Sequence, residues 1–166
     1  MVICMDELNE LYYQGMLKKV EPSPLRSTLS LKEGRLWLEE ALVSFRNGTY
    51  RSARVCTYLA FLHAARSVLL RDGVQEISPR YLVPYLKKYY HQGHLDDKWP
   101  QILNWILNLH NQDKHQFQVT STPEDVEIAI DYCHEFIQQI NHLLKETGTL
   151  PRTMTIYPII ENESVK

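Results

Sequence analysis

Tyr50-Arg51-Ser52-Ala53-Arg54-Val55-Cys56-Thr57-Tyr58-Leu59-Ala60-Phe61-Leu62-His63-Ala64-Ala65-Arg66-Ser67-Val68-Leu69-Leu70-Arg71-Asp72-Gly73 is the stretch that decides the fold. Val55, Tyr58, Leu59, Leu62, Ala65 and Leu69 recur at helical steps and build a broad apolar face. Ala53, Ala60, Ala64 and Ala65 are small enough to let a neighbouring helix approach closely. Gly73 is the stop, because glycine accepts the left-handed conformation that ends many helices. A helix from Tyr50 to Asp72 with so wide an apolar face needs cover on several sides, which makes it the central element of a bundle.

The flanking segments supply that cover. Asp6 to Val20 predicts a helix with Leu8, Leu11, Tyr12 and Leu17 on or near one stripe, broken by Glu21-Pro22-Ser23-Pro24. A second helix is expected from about Thr28 to Asn47, with Ser30 and Glu33 at capping-box spacing and Gly48 as its stop. Ser78-Pro79 opens a fourth, carrying Leu82, Val83, Tyr85, Leu86 and Tyr89, in which Pro84 predicts a kink or an early end. A fifth starts near Asp96 or Asp97 and carries Trp99, Ile102, Leu103, Ile106 and Leu109. Thr122-Pro123-Glu124-Asp125 caps a sixth that runs to about Glu146, with Gly148 beyond it. Thr149 to Lys166 reads as extended, and Met154 to Ile160 as a short strand or docked arm. No earlier segment alternates convincingly at period two. The expected architecture is all-α: an up-and-down bundle of four or five helices over 25–148, an extra N-terminal helix and linker over 1–24, and an extended C-terminal tail over 149–166.

Bulk composition narrows the function classes. The net charge of −2 gives no global basic field, so a nucleic-acid site has to be a local patch. Cys4, Cys56 and Cys133 are an odd number with no CxxC pair, which argues against a disulfide framework or a zinc ribbon and fits a reducing cytoplasm. No run of about 18 apolar residues occurs, so no membrane span is expected. The apolar start Met1-Val2-Ile3-Cys4-Met5-Asp6 is too short and lacks the basic residues of a signal peptide. The absence of GxxxxGK[ST], GxGxxG and GxSxG argues against P-loop, Rossmann and α/β-hydrolase enzymes.

The polar cluster that stands out is Leu109-His110-Asn111-Gln112-Asp113-Lys114-His115-Gln116-Phe117, which closes an otherwise apolar helix. His110 continues the stripe of Leu103 and Ile106, so it should face the bundle or a partner. His115 lies about 140° further round an ideal helix, so the two rings share a face only if the helix ends or bends between them. Imidazoles titrate near neutrality and can move protons. Two of them beside a phosphodiester could activate a ribose 2′-hydroxyl and protonate the leaving oxygen without a metal. The plainer alternative is a hydrogen-bonded helix end with a half-buried histidine. Lys114, Arg51 and Arg54 are candidate phosphate contacts, although Arg51, Arg54, Lys87 and Lys88 also fit a solvated face. Tyr85, Tyr89 and Tyr90 suit either base stacking or packing, and His63 suits helix packing. His91, His94, Asp96 and Asp97, with His110 and His115, have no recognised zinc spacing. No metal or cofactor is expected.

Tyr50 through Gly73, with Phe61-Leu62-His63-Ala64-Ala65-Arg66 and Asp72-Gly73 at its core, resembles the central helix of HEPN-domain proteins. Glu76-Ile77-Ser78-Pro79 resembles the loop before that family's third bundle helix, and the likeness covers roughly Ser30 to Lys145. Tyr13-Gln14-Gly15-Met16-Leu17-Lys18-Lys19 resembles an extension seen in one microbial branch. The resemblance implies a helical bundle that pairs as a homodimer, often beside a minimal nucleotidyltransferase. Many members are metal-independent endoribonucleases or toxins of toxin–antitoxin and defence systems. Active members carry Arg-x4-6-His near the end of a bundle helix, and two copies meet across the dimer. The matching segment here is His110 to His115. Asn111 and His115 are kept, and His110 stands at the arginine position. Guanidinium stays charged and forked, whereas imidazole does not. Two readings follow: an RNA-cleaving dimer using His110, Asn111 and His115, and a non-catalytic module that binds a nucleotidyltransferase-like partner or a nucleotide.

Overall fold

The computed structural model describes residues 2–115 and 122–147, with side chains described over 6–111 and 122–147. In chain order the elements are α1 (Val2–Tyr13), β1 (Leu17–Lys19), α2 (Pro24–Arg46), α3 (Tyr50–Asp72), β2 (Val74–Glu76), a 3-10 turn (Pro79–Tyr81), α4 (Leu82–His91), α5 (Lys98–His115) and α6 (Pro123–Glu146). The expected all-α bundle is the fold found, with a two-stranded antiparallel ribbon added to it.

The pairing of α2 with α3 is the most extensive in the molecule, and small residues permit it. A Cβ on Gly34 would lie 3.1 Å from the carbonyl oxygen of Ala60, so the two backbones run almost in contact. Ser27 donates to the Ser67 carbonyl at 2.7 Å, and Ser30 donates to the His63 carbonyl at 2.8 Å. Ser30 is therefore buried between helices rather than capping one. The cap of α2 is Ser23, whose Oγ accepts from the Arg26 amide at 3.2 Å with Pro24 in the first turn. The segment that reads as a breaker is thus a starter, since the first-turn amides have no helical partner to lose.

Behind α3 lies α6, with the Phe136 ring 5.1 Å from that of Phe61 and 5.4 Å from that of Trp99. Thr122 caps α6 as its sequence predicts, its Oγ1 accepting from the Asp125 amide at 3.2 Å. Cys133 is buried in the core, and that burial pushes its thiol pKa well up. Pro84 is the third residue of α4 and Pro100 the third of α5, inside the first turn where neither removes a helical hydrogen bond. Pro84 consequently causes no kink, and α4 is a short helix that begins after the 3-10 turn.

The first helix stops at Tyr13 and not at Val20. Gly15 takes a φ of 72°, and the chain turns into β1, which pairs with β2 in the register Leu17–Glu76, Lys18–Gln75, Lys19–Val74. Both strands are three residues long, too short for any alternation to register in the sequence. Gly73 takes a φ of 70°, and a Cβ there would sit 2.5 Å from the Val20 carbonyl oxygen, so only glycine fits. Beside it, Asp72 accepts from Arg71 Nε at 2.8 Å, from Tyr85 OH at 2.7 Å and from Tyr89 OH. Arg71 also donates to Tyr89 OH and to Thr147 at the end of α6. The Arg71-Asp72-Gly73 run thus ties α3, α4, α6 and the ribbon together through satisfied buried polar groups. Gly148 and the tail 149–166, including Met154 to Ile160, lie outside the described residues. Among the described residues no helix is long and apolar enough to cross a membrane.

Candidate functional site

Three elements converge at one side of the bundle. On α3, Arg51, Arg54 and Tyr58 follow one another at steps of three and four residues and so share a helix face. Tyr58 is half-buried, and the His110 ring of α5 lies flat on it, centroids 3.6 Å apart and planes 7° off parallel. Stacking holds an imidazole by its faces, while its two nitrogens lie on its edge, where proton chemistry happens. Burial is the main cause that raises the Tyr58 phenol pKa, with Arg66 opposing and Glu76 adding to it, so the hydroxyl stays protonated at neutral pH.

Next to the stack opens a pocket of about 260 Å³, with Tyr58 shared between the two. Its polar lining comes from Asn104, Asn108 and Asn111 on α5 and from Ser78 and Arg80 at the 3-10 turn. The three asparagines stand at steps of four and three, so they form a ladder on the exposed face of α5. Pro79 starts the 3-10 turn, and the guanidinium of Arg80 rests 4.9 Å from the Tyr81 ring centroid. Carboxamide and guanidinium donors facing a wet pocket are groups that hold phosphate oxygens.

The candidates read from sequence are placed as follows. His110 and Asn111 flank the same pocket region, one through Tyr58 and the other directly. Arg54 is half-buried and Arg51 exposed, both on the Tyr58 face of α3. The α5 backbone continues to His115, but the side chains of Lys114 and His115 lie outside the described residues. Tyr85 and Tyr89 are buried and committed to Asp72, which removes them from base stacking, whereas Tyr90 is 37% exposed. His63 is half-buried, and burial, with the Arg66 charge, lowers its pKa. His91 and His94 are exposed. Among the described residues no group of three His, Cys, Asp or Glu side chains converges as a metal site.

Sequence reasoning missed Arg80, Asn104 and Asn108. The asparagine ladder was visible as a polar repeat opposite the stripe of Leu103 and Ile106. Arg80 was not, because only the turn brings it against α5.

Among the described residues, six helices and a two-stranded ribbon form an all-α bundle, neither Rossmann nor P-loop in architecture, with a polar, aromatic-walled pocket between its central helix, the 3-10 turn and α5. The HEPN domain family model matches residues 28–143, and the chain belongs to the HEPN family. No curated protein matches the chain.

Proposed function

We propose that this HEPN protein is a homodimeric, metal-independent endoribonuclease of a toxin–antitoxin or defence-type system in the cytoplasm, using a motif in which His110 replaces arginine. The observation that carries the reading is the His110 ring held flat on Tyr58 beside the pocket that Asn111 lines. A fixed imidazole next to phosphate-holding donors is the minimum such chemistry needs. HEPN domains commonly dimerise, which would bring two such helix ends to one RNA strand.

In the reaction, the ribose 2′-oxygen bonds to phosphorus and the bond from phosphorus to the 5′-oxygen breaks. One imidazole takes the 2′-proton and a second protonates the departing oxygen, leaving a cyclic phosphate and a free 5′-hydroxyl. His115 is assigned general acid or base. His110 is the second proton carrier or a phosphate contact, and Asn111 an orienting donor. Lys114, Arg51 and Arg54 add positive charge along the strand.

Cleavage of a single-stranded RNA by the purified dimer in EDTA tests this reading. Wild-type protein should cleave, and His115→Ala should lose about 100-fold or more in rate, the usual scale of general acid–base catalysis. Equal cleavage by the variant would discard the assignment. The second reading is a non-catalytic module that binds a minimal nucleotidyltransferase or a nucleotide. It is favoured by one feature: α5 contains no arginine, and His110 is packed face-on as a structural residue would be. Capture of a nucleotidyltransferase from the same gene neighbourhood, with no RNA cut by wild type, would support it.

A further inference from the structure

The α5 motif lacks its arginine, yet the fold delivers one to the neighbouring pocket from another element. Arg80 lines the cavity with Asn104, Asn108 and Asn111, although it lies on the 3-10 turn before α4. Its approach is pre-set: Pro79 fixes the turn, and the Tyr81 ring supports the guanidinium at 4.9 Å. At about 260 Å³ the pocket is below the roughly 300–1,000 Å³ of drug-sized sites. That is room for a phosphate and its sugar.

Asn104 also lines a second cavity of about 490 Å³, whose other polar lining is Lys87, Tyr90, His91, Asp97 and Gln101. The two cavities therefore adjoin along α5. The second offers an exposed aromatic ring. Tyr90 is 37% exposed, its ring centroid 5.0 Å from that of His91, and Lys87 stands on the same rim. An exposed aromatic ring beside a cation takes an unpaired base by stacking, which a base inside a duplex cannot offer.

We propose that Arg80 supplies the phosphate-holding guanidinium that α5 lacks, and that the groove from Arg80 past Asn104 to Tyr90 takes consecutive nucleotides of single-stranded RNA. The proposal deepens the ribonuclease reading by naming its substrate class and a contact outside the motif, and it rests on the RNA part of that reading. Arg80 grips a phosphate, the asparagines orient it and its sugar, and Tyr90 stacks the neighbouring base. Arg80 lines one of the two cavities and Tyr90 the other, and Asn104 is common to both.

Fluorescence anisotropy with a labelled oligouridine on the full-length protein tests this, alongside a duplex RNA of equal length. Arg80→Gln should weaken single-strand binding at least about tenfold, the scale of a lost charged hydrogen bond. It should also reduce the slope of log affinity against log salt by about 0.7, one phosphate's share for a single strand. Tyr90→Ala should weaken binding about fivefold or more, and Tyr90→Phe should keep it. Circular dichroism and melting temperature confirm that each variant is folded. Unchanged binding in a folded Arg80→Gln protein overturns the proposal, as does equal affinity for the duplex. Loss of cleavage in His115→Ala with Arg80→Gln binding normally would sink this inference and leave the ribonuclease reading standing. Arg80- and Tyr90-dependent binding without cleavage would do the reverse.

Discussion

Asp72 holds two buried phenols, Tyr85 and Tyr89, and the chemistry of that cluster makes a sign-definite prediction. Burial first, and the Asp72 carboxylate second, push the Tyr85 pKa far above its ordinary value of about 10. Burial and the hydrogen bond to Asp72 do the same to Tyr89. A phenol whose folded pKa is raised contributes stability that is fully present below the unfolded value. That stability drains away as pH climbs above about 10, because the unfolded chain then releases protons that the native one retains. The urea midpoint should therefore begin to fall above about pH 8.5, where the buried Cys133 thiol has the same effect, and fall more steeply beyond about pH 10 as the phenols join it. Tyr85→Phe removes one of the two phenols held by Asp72 and should make the fall beyond about pH 10 shallower, at a cost of about 1 kcal/mol at pH 7 for the lost bond. A variant whose alkaline decline matches wild type would show that the phenol ionises freely in the native state. His63 works in the opposite direction. Its folded pKa is lowered by burial and by Arg66, so its share is complete above about 6.5 and lost as pH falls below it.

At the scale of elements the α2–α3 pair sets the bundle, and Gly34 is where it is tightest. A side chain at Gly34 meets the Ala60 carbonyl and the Ala64 amide, both backbone atoms that cannot rotate away. Gly34→Val should destabilise by about 1–3 kcal/mol or more, read as a lower thermal midpoint with helix content retained at low temperature. An unchanged midpoint would mean the helices are free to separate. The same contrast between local and distant causes explains what the sequence reveals. The extents of α3 and α6 were legible because their stops and caps, Gly73 and Thr122-Pro123, act on neighbouring residues. The start of α2 was misread because Pro24 breaks a helix interior and opens a helix first turn, and only the Ser23 cap decides between them. β1 and β2 were illegible because each exists through the other, paired across the whole of α2 and α3. The site divides in the same way. His110 and Asn111 stood out where an apolar stripe turned polar. The Tyr58–His110 stack and the arrival of Arg80 depend on how α3, α5 and the 3-10 turn pack, which no spacing along the chain encodes.

For the whole molecule, a charge of −2 means that affinity for RNA cannot come from a uniform field. It has to come from a few cations gathered at one cleft, and a single chain gathers few. Arg80 lines the pocket, whereas Arg51 and Arg54 lie on the Tyr58 face of α3, and on the RNA reading each long side chain would lose rotamer freedom on gripping a phosphate. Pairing two copies doubles the cations and the imidazoles facing one strand without any new contact type, and the second copy then acts at high effective concentration. On the proposed ribonuclease reading, catalysis is a property of the dimer. Rate per chain should accordingly fall on dilution along the same curve that sedimentation gives for loss of the species at twice the 19.6 kDa chain mass. Raising salt at fixed dimer fraction should lower RNA affinity further, because the phosphate contacts are released together with bound counterions. A chain that sediments as a monomer and cleaves with undiminished rate per chain would place both proton carriers within one subunit, and the shared cleft would have to be abandoned.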